Sequence, residues 1–371
     1  MKKAIFTLAL FCLALISAQA QKGEKRYAMY GVAFYNLENL FDTIHDEGKN
    51  DFEYLPDGAN RWGTLKYTHK LRNMSKVLSE LCRDKLHGGP AFIGMSEIEN
   101  RRVLEDLLKQ PSLKNTGWRI VHEDGPDRRG VECAFFYNPR IFQYESHMLV
   151  PYYYKDPSQP EVDLGFYTDR TGKVIPYKEL KGDTTHITRG FLVMTGRLAG
   201  EKVHAIVCHW PSRFAGSPVR ERAGEQVCAL KNALLRQDPG AHIIIMGDMN
   251  DDPENKSLSV ELGCKHNQKD VKGDSDMFNP WWDMLYKVGQ GTLMYNGKWN
   301  LFDQIVFNGT LIGKDRSTLK YLKCEVFNRS YLFQSEGRYK GGPLRTHAGG
   351  TWLDGYSDHL PTCIYLVKEK K

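Results

Sequence analysis

The chain has 371 residues, 41% hydrophobic and 26% charged, with 51 Lys and Arg against 45 Asp and Glu, a formal charge of +6. That length buries one large core or two ordinary ones. The basic excess is milder than that of nucleic-acid binders driven by electrostatics alone, so it permits a phosphate-bearing substrate without requiring one.

Residues 1–20 read as a secretory signal peptide. Lys2 and Lys3 form its basic start, Ala4–Ile16 its apolar core and Ala18-Gln19-Ala20 its cleavage site. The apolar run is short for a membrane span, and no later stretch is long and apolar enough to make one. Cys12 lies inside the apolar core, so a lipid-modified cysteine is not suggested. Cleavage would leave residues 21–371 as a secreted or periplasmic protein and remove two of the positive charges. The seven later cysteines are scattered, with no C-x-x-C spacing, so zinc and dithiol motifs of that kind are absent. Cys133, Cys208 and Cys363 sit in apolar runs and read as small core residues. An oxidising compartment would allow a disulfide, Cys264 with Cys324 being one guess. An odd count leaves at least one thiol free.

Tyr27–Tyr35 reads as a strand ending at Asn36-Leu37-Glu38-Asn39, and 42–63 as a polar loop. Leu71, Met74, Val77, Leu78 and Leu81 fall at helical spacing within Leu65–Leu86, and Gly88-Gly89-Pro90 stops that helix. Ala91–Met95 is a buried-type strand ending at Ser96-Glu97. Arg102–Lys109 is a short helix. Trp118–His122 and Val131–Tyr137 pair as strands, and Ile141–Val150 is another. Pro151–Thr188, rich in Tyr, Pro, Asp and Lys, reads as an insertion. Phe191–Leu198 and Lys202–Cys208 form a hairpin turning at Ala199-Gly200, and the second strand runs into His209-Trp210-Pro211-Ser212-Arg213. Arg220–Leu235 is an amphipathic helix.

Ala241–Pro253, A-H-I-I-I-M-G-D-M-N-D-D-P, switches abruptly from β-branched apolar residues to acids and amides. The apolar run suits a strand buried on both faces. Gly247 lets the chain leave it tightly. Asp248 and Asn250 share a face at its carboxyl end while Met249 turns away. Trp281–Leu285, Leu301–Phe307, Tyr321–Phe327 and Pro361–Val367 read as later strands. Ser335–Gly355 is a Gly-rich basic loop. No domain boundary is visible, and a layered α/β domain over 21–371 is the expected class.

Several strand ends carry polar residues of one chemical kind: Asn36 and Glu38, Glu97, His209, Asp248 and Asn250, and Ser357-Asp358-His359. A carboxylate and an amide fixed on a rigid strand end hold a hard cation, a water or a phosphate oxygen. Asp303 sits in an otherwise apolar strand and needs a partner, for which histidine is suited. Each residue has an ordinary structural reading as well. Glu97 could be a helix-start acid, His209 a satisfied strand-end histidine, and Ser357-Asp358-His359 a turn. The coincidence of all of them favours function.

The segments Y-N-L-E-N, G-M-S-E-I-E-N, G-V-E-C-A-F-F-Y-N-P, C-H-W-P-S, G-D-M-N-D-D-P, F-D-Q-I and Y-S-D-H-L-P resemble, in this order, the endonuclease/exonuclease/phosphatase superfamily. The resemblance runs from about Tyr27 to Val367. It implies a DNase I-like four-layer α/β sandwich, two mixed β-sheets face to face with helices outside. It implies Mg²⁺, with Mn²⁺ possible in its place, held by Glu97 with Asn36, Glu38 and Asp358. Asp248 and Asn250 would orient the attacking water and the phosphate, Asn36 contributing to substrate binding. His359 paired with Asp303 would be general base or phosphate clamp, a role shared with Asp248. His209 paired with Glu132 would stabilise the phosphate or assist the leaving group. Arg213 could add a phosphate contact through its forked geometry.

The expected activity is phosphodiester hydrolysis by direct water attack, first as an endonuclease on DNA or RNA. A phosphatase or a phospholipid phosphodiesterase keeps the mechanism and changes the substrate. A membrane-facing enzyme would want an exposed aromatic loop, with Trp281-Trp282 and Tyr152-Tyr153-Tyr154 as candidates. Those residues could equally stack bases or fill the core. A non-catalytic binding protein on the same scaffold would have lost one of the six principal residues, and none is missing. No obligate protein partner is expected.

Overall fold

A computed structural model describes residues 25–152, 188–337 and 339–370. The signal-peptide reading and nearly all of the 151–188 insertion lie outside them. The strands are β1 (Tyr27–Leu40), β2 (Phe92–Ile98), β3 (Arg119–His122), β4 (Glu132–Tyr137), β5 (Phe142–Tyr152), β6 (Thr188–Leu198), β7 (Glu201–His209), β8 (His242–Asp248), β9 (Cys264–Lys265), β10 (Met277–Phe278), β11 (Leu293–Tyr295), β12 (Lys298–Asn300), β13 (Asp303–Asn308), β14 (Lys320–Val326), β15 (His347–Ala348), β16 (Thr351–Trp352) and β17 (Thr362–Glu369). The main helices are α1 (Thr64–Glu80), α2 (Arg101–Lys109) and α3 (Ser217–Gln237).

Two mixed sheets form the body. One runs β14-β17-β1-β2-β4-β3 and the other β5-β6-β7-β8-β13-β10-β9. Each has a parallel pair near its centre, β1 with β2 and β7 with β8. The sheets meet face to face through β1 with β13 and β8, and β2 with β7. Helices α1 and α2 pack with the first sheet, and α3 covers the outer face of the second. This is the expected four-layer α/β sandwich.

The layering explains the unbroken apolar run of β8. Ile244 and Met246 point between the sheets, and Ile243 and Ile245 point toward α3. Both faces are buried, so neither parity of the strand is polar. By the same alternation Asp248 continues the inter-sheet face, while Met249 joins the core under α3. On α3, Val219, Ala223, Val227, Leu230 and Leu234 supply the facing stripe. Helix α2 begins where the Asn100 side chain accepts from the Val103 amide at 3.2 Å, a cap that contributes ~1 kcal/mol.

The helix expected to reach Leu86 ends at Glu80. Cys82 takes φ +60°, and its sulfur packs where a Cβ on Gly31 would stand, 2.8 Å away. The chain turns there to seat Leu81 and Cys82 against β1. The stretch 281–285 is helical rather than a strand. Trp281 is fully buried and donates its indole N–H to the Ile305 carbonyl at 3.0 Å. Tyr152 is buried too, its hydroxyl on the Val219 carbonyl. Tyr153 and Tyr154 lie outside the described residues. Cys264 and Cys324 are both free thiols, so that pairing is not made. Among the described residues no helix is long and apolar enough to cross a membrane.

Gly247 has a reason different from the expected tight exit. A Cβ there would stand 2.2 Å from the Cys208 carbonyl oxygen on the neighbouring strand, and backbone cannot move aside as a side chain can. Gly247→Ala should therefore destabilise the protein by ~3 kcal/mol, read as a lower urea midpoint. An unchanged midpoint would show that β7 and β8 are not this close.

Candidate active site

The carboxyl ends of both parallel pairs lie at one edge of the sandwich. Register places His209 beside Asp248, Asp248 beside Asp303, and Asn36 beside Ser96. Backbone irregularity marks the same edge. Non-glycine residues with left-handed φ include Glu38 (46°), Asn39 (51°), Glu97 (58°) and Asn250 (51°). Asparagine tolerates that region and glutamate does so at a cost, which is where functional sites commonly hold strain. At Glu97 the register of β2 against β4 slips between Ser96 and Ile98. That bulge turns the carboxylate toward the other strand ends.

Asp248 is the hub. Its Oδ2 accepts from the Asn36 amide at 3.0 Å and lies 3.6 Å from His209 Nε2 and 3.8 Å from His359 Nε2. Its Oδ1 accepts from the Asn250 backbone N–H at 2.9 Å. Burial raises its carboxyl from 3.8 to about 7, against the pull of His359. Glu97 reaches the cluster from β2, with Oε1 3.2 Å from Asn36 Nδ2 and 3.7 Å from His209 Nε2. Asn39 N–H holds the other oxygen at 2.9 Å.

His359 is buried beside Asp303, whose Oδ2 is 2.7 Å from its Nδ1. Burial opposes its charge, but Asp303 and then Asp248 outweigh it and push the imidazole well above 6.5. His209 goes the other way. Burial, reinforced by Arg189, Arg129 and His359, holds it well below 6.5. Two imidazoles in one cleft thus take opposite protonation states at neutral pH.

Other expected residues are placed differently. Asn36 gives its oxygen to the Glu38 amide at 2.9 Å, so it presents N–H rather than oxygen to the cluster. That suits a phosphate and does not suit a cation. Glu38 turns away to Thr346 N–H at 2.6 Å and to Arg345 at 3.4 Å, with Lys70 at 4.0 Å. Asp358 is held by Arg345 Nη2 at 2.7 Å, with Oδ1 3.9 Å from His359 Nε2. The His209–Glu132 pairing is not formed. Glu132 is raised to about 8 by burial, with Lys49 its nearest cation at 3.5 Å, and His209 Nδ1 has no hydrogen-bond partner. Arg213 bonds Asp252 at 2.9 Å and stacks on Phe302 at 4.4 Å, so its fork is occupied. Asn250 bonds the Trp210 carbonyl at 2.9 Å, locking the turns after β7 and β8 together.

Sequence reasoning missed three arginines. Arg189 is buried, pairs with Asp127 at 3.2 Å and donates to the His209 and Trp210 carbonyls. Arg129 lines the cleft, and Arg345 bridges Glu38 and Asp358. Arg128 and Arg129 stand together between the strands expected at Trp118–His122 and Val131–Tyr137, and Arg345 in a loop read as basic. Those were the only signals.

The donor set fits a hard divalent cation on its carboxylate side. Glu97, His209 and Asp248 offer ligand atoms within 4.8 Å of one another, as do Asp248, Asp303 and His359, and Asp303 Oδ1 is buried without a partner. Carboxylates with open positions for water match such an ion.

A buried acid–imidazole cluster where two facing sheets end is suited to hydrolysis of phosphate esters, the chemistry of the family to which the sequence assigns the chain. The chain belongs to the endonuclease/exonuclease/phosphatase family, whose sequence profile matches residues 31–162 and 152–368. No curated protein matches it by sequence. Solved structures share the fold. An endonuclease/exonuclease/phosphatase family protein of Bacteroides thetaiotaomicron aligns at TM-score 0.53 and 15% identity, over 93% of this chain and 97% of that one. A mannosyl-6-phosphatase of the same organism aligns at 0.52 and 15%, over 91% and 99%. Humanized D. rerio TDP2 aligns at 0.52 and 11%, over 91% and 98%.

Asp303→Asn should remove the main counter-charge of His359 and let burial pull its imidazole below 6.5. An NMR titration of the ring nitrogens should find it protonated at pH 7 in the wild type and neutral in the variant. Identical titrations in the two proteins would refute the pairing's electrostatic role.

Proposed function

We propose that this chain is a Mg²⁺-dependent phosphodiesterase, acting as an endonuclease on nucleic acid. One observation carries the choice of a diester. The acid–imidazole cluster lies where two clefts meet, one of 570 Å³ and one of 640 Å³, sharing Leu293 and Asp358. A phosphate at the cluster has room for a substituent on each side, whereas a monoester needs room on one.

The residue roles follow from position and charge. Asp248, raised toward neutrality at the centre of the cluster, takes the proton of the attacking water. Asn250 orients it through the turn it locks. His359, charged and fixed by Asp303, neutralises charge developing on the phosphate. His209, neutral, donates one N–H to a phosphate oxygen or to the leaving oxygen, and Asn36 donates another. Glu97 would hold the cation, which when bound supplies Lewis-acid stabilisation of the phosphate oxygens. No cysteine serves as a nucleophile. Cys208 beside the site and Cys133 on β4 are both raised by burial beyond any useful range.

A lipid phosphodiesterase would keep this cluster, but Trp281 and Tyr152 are buried rather than offered to a bilayer. With the leader reading of residues 1–20, the proposed enzyme works outside the cytoplasm.

His209→Ala and His359→Ala should each cost ~10²–10⁴ in kcat on bis(p-nitrophenyl) phosphate. Unimpaired hydrolysis in both variants would sink the assignment. Treatment with EDTA should abolish activity, and Mg²⁺ or Mn²⁺ should restore it; full activity in the chelator would rule out the cation role.

A further inference from the structure

We infer that the cleft takes single-stranded nucleic acid, with unpaired bases stacking on Phe214 to one side of the reacting phosphate and on Tyr295 to the other. This rests on the phosphodiesterase reading and narrows its substrate.

Phe214 is 102% exposed and Tyr295 is 68% exposed. A phenylalanine left wholly in water forgoes the stabilisation that burial would give it. This one is not on a slack loop. It sits in the helical turn Arg213–Ala215, between Ser212 and Ala215 of the first cleft's wall. Arg213 pins that turn, donating to Asp252 Oδ2, to the Asn250 carbonyl at 3.2 Å and to Asn300 Oδ1 at 3.2 Å. Asn300 ends β12. Its partner β11 presents Tyr295 beside the turn Asn296-Gly297, both left-handed at 49° and 73°. One guanidinium therefore ties the turn carrying Phe214 to the hairpin carrying Tyr295. Tyr295 lines the second cleft.

Cations accompany the rings. Arg129 lines the first cleft, and Lys340 and Arg345 line the second. Exposed aromatic faces with cations nearby match a strand of bases and phosphates. A duplex keeps its base faces stacked on one another, so rings in this position engage only bases that are splayed. A bilayer would call for a contiguous apolar patch. Here Arg213 and Ala215 flank Phe214, and Asn296 and Lys298 follow Tyr295, so polar residues adjoin each ring.

The test measures binding in EDTA, by fluorescence anisotropy of a labelled single-stranded oligonucleotide. Phe214→Ala and Tyr295→Ala should each weaken it about 5- to 100-fold, with thermal midpoints unchanged. A strand whose bases are replaced by tetrahydrofuran should bind the wild type no better than the variants bind the normal strand. Equal wild-type affinity for the base-free and normal strands overturns the inference. So does loss of sedimentation with phosphatidylglycerol vesicles in the variants while oligonucleotide affinity stays intact, which would assign the rings to a membrane. Failure of the wild type to hydrolyse bis(p-nitrophenyl) phosphate with Mg²⁺ sinks the phosphodiesterase reading instead, because stacking is measured without turnover.

Discussion

Asp248 and Asp303 stand opposite each other on neighbouring strands, both buried, and the site depends on what lies between them. Two like charges at paired positions repel, and each loses its hydration. His359 answers both problems at once, with one ring nitrogen on Asp303 and the other facing Asp248. Its charge keeps Asp303 tolerable, and Asp303 in turn fixes the ring. The residue that supplies this cation comes from the loop before β17, in the other sheet. The two sheets are thus joined at this edge by electrostatics as well as by apolar packing.

That arrangement sets requirements on the surroundings. Asp248 can face His359 only if β8 and β13 end in register, and Glu97 can reach them only through the bulge in β2. Asn36 fills the space between the two carboxylates with N–H groups, which lowers the cost of bringing Glu97 close to Asp248. On the far side Arg189 holds the His209 and Trp210 carbonyls and keeps the turn after β7 from opening. Burial, reinforced by its charge and that of Arg129, also holds His209 below its ordinary value. One cation supports the scaffold and biases a ring's protonation through the same position.

The fold was legible wherever the hydrophobic period was clean. The run His242–Met246 announced a strand buried on both faces, and Asp303 announced a partnered carboxylate because an isolated one is so costly. The helix end at Glu80 was hidden because Leu81 continues the helical period while packing against the sheet. The 281–285 segment was misread because five residues with a single buried ring are too few to show a period. In the site, residues at strand ends could be read because the strand fixes their direction. Glu38 and Glu132 could not, since a carboxylate's partner is set by loops such as 345–346 that have no pattern. The arginines were invisible for a related reason: nothing local distinguishes a bracing guanidinium from a solvated one.

The fate of Arg213 shows how a scaffold shared across a family can acquire its own surface. Its forked geometry suggested a phosphate contact, yet the fork is spent on Asp252, Asn250 and Asn300 and its plane on Phe302. A residue so fully engaged is a joint rather than a contact. What it joins are two exposed segments on either side of a cluster whose chemistry is indifferent to them. In the proposed mechanism the acids and imidazoles act on a phosphate and its immediate oxygens, and they sense nothing of what those oxygens carry. Discrimination has to come from groups farther out. Such groups discriminate only if they are held still, because a mobile ring loses in ordering entropy what it gains in stacking. The turn and hairpin tied by Arg213 would supply that stillness, and the proposed choice of substrate falls to them rather than to the cluster.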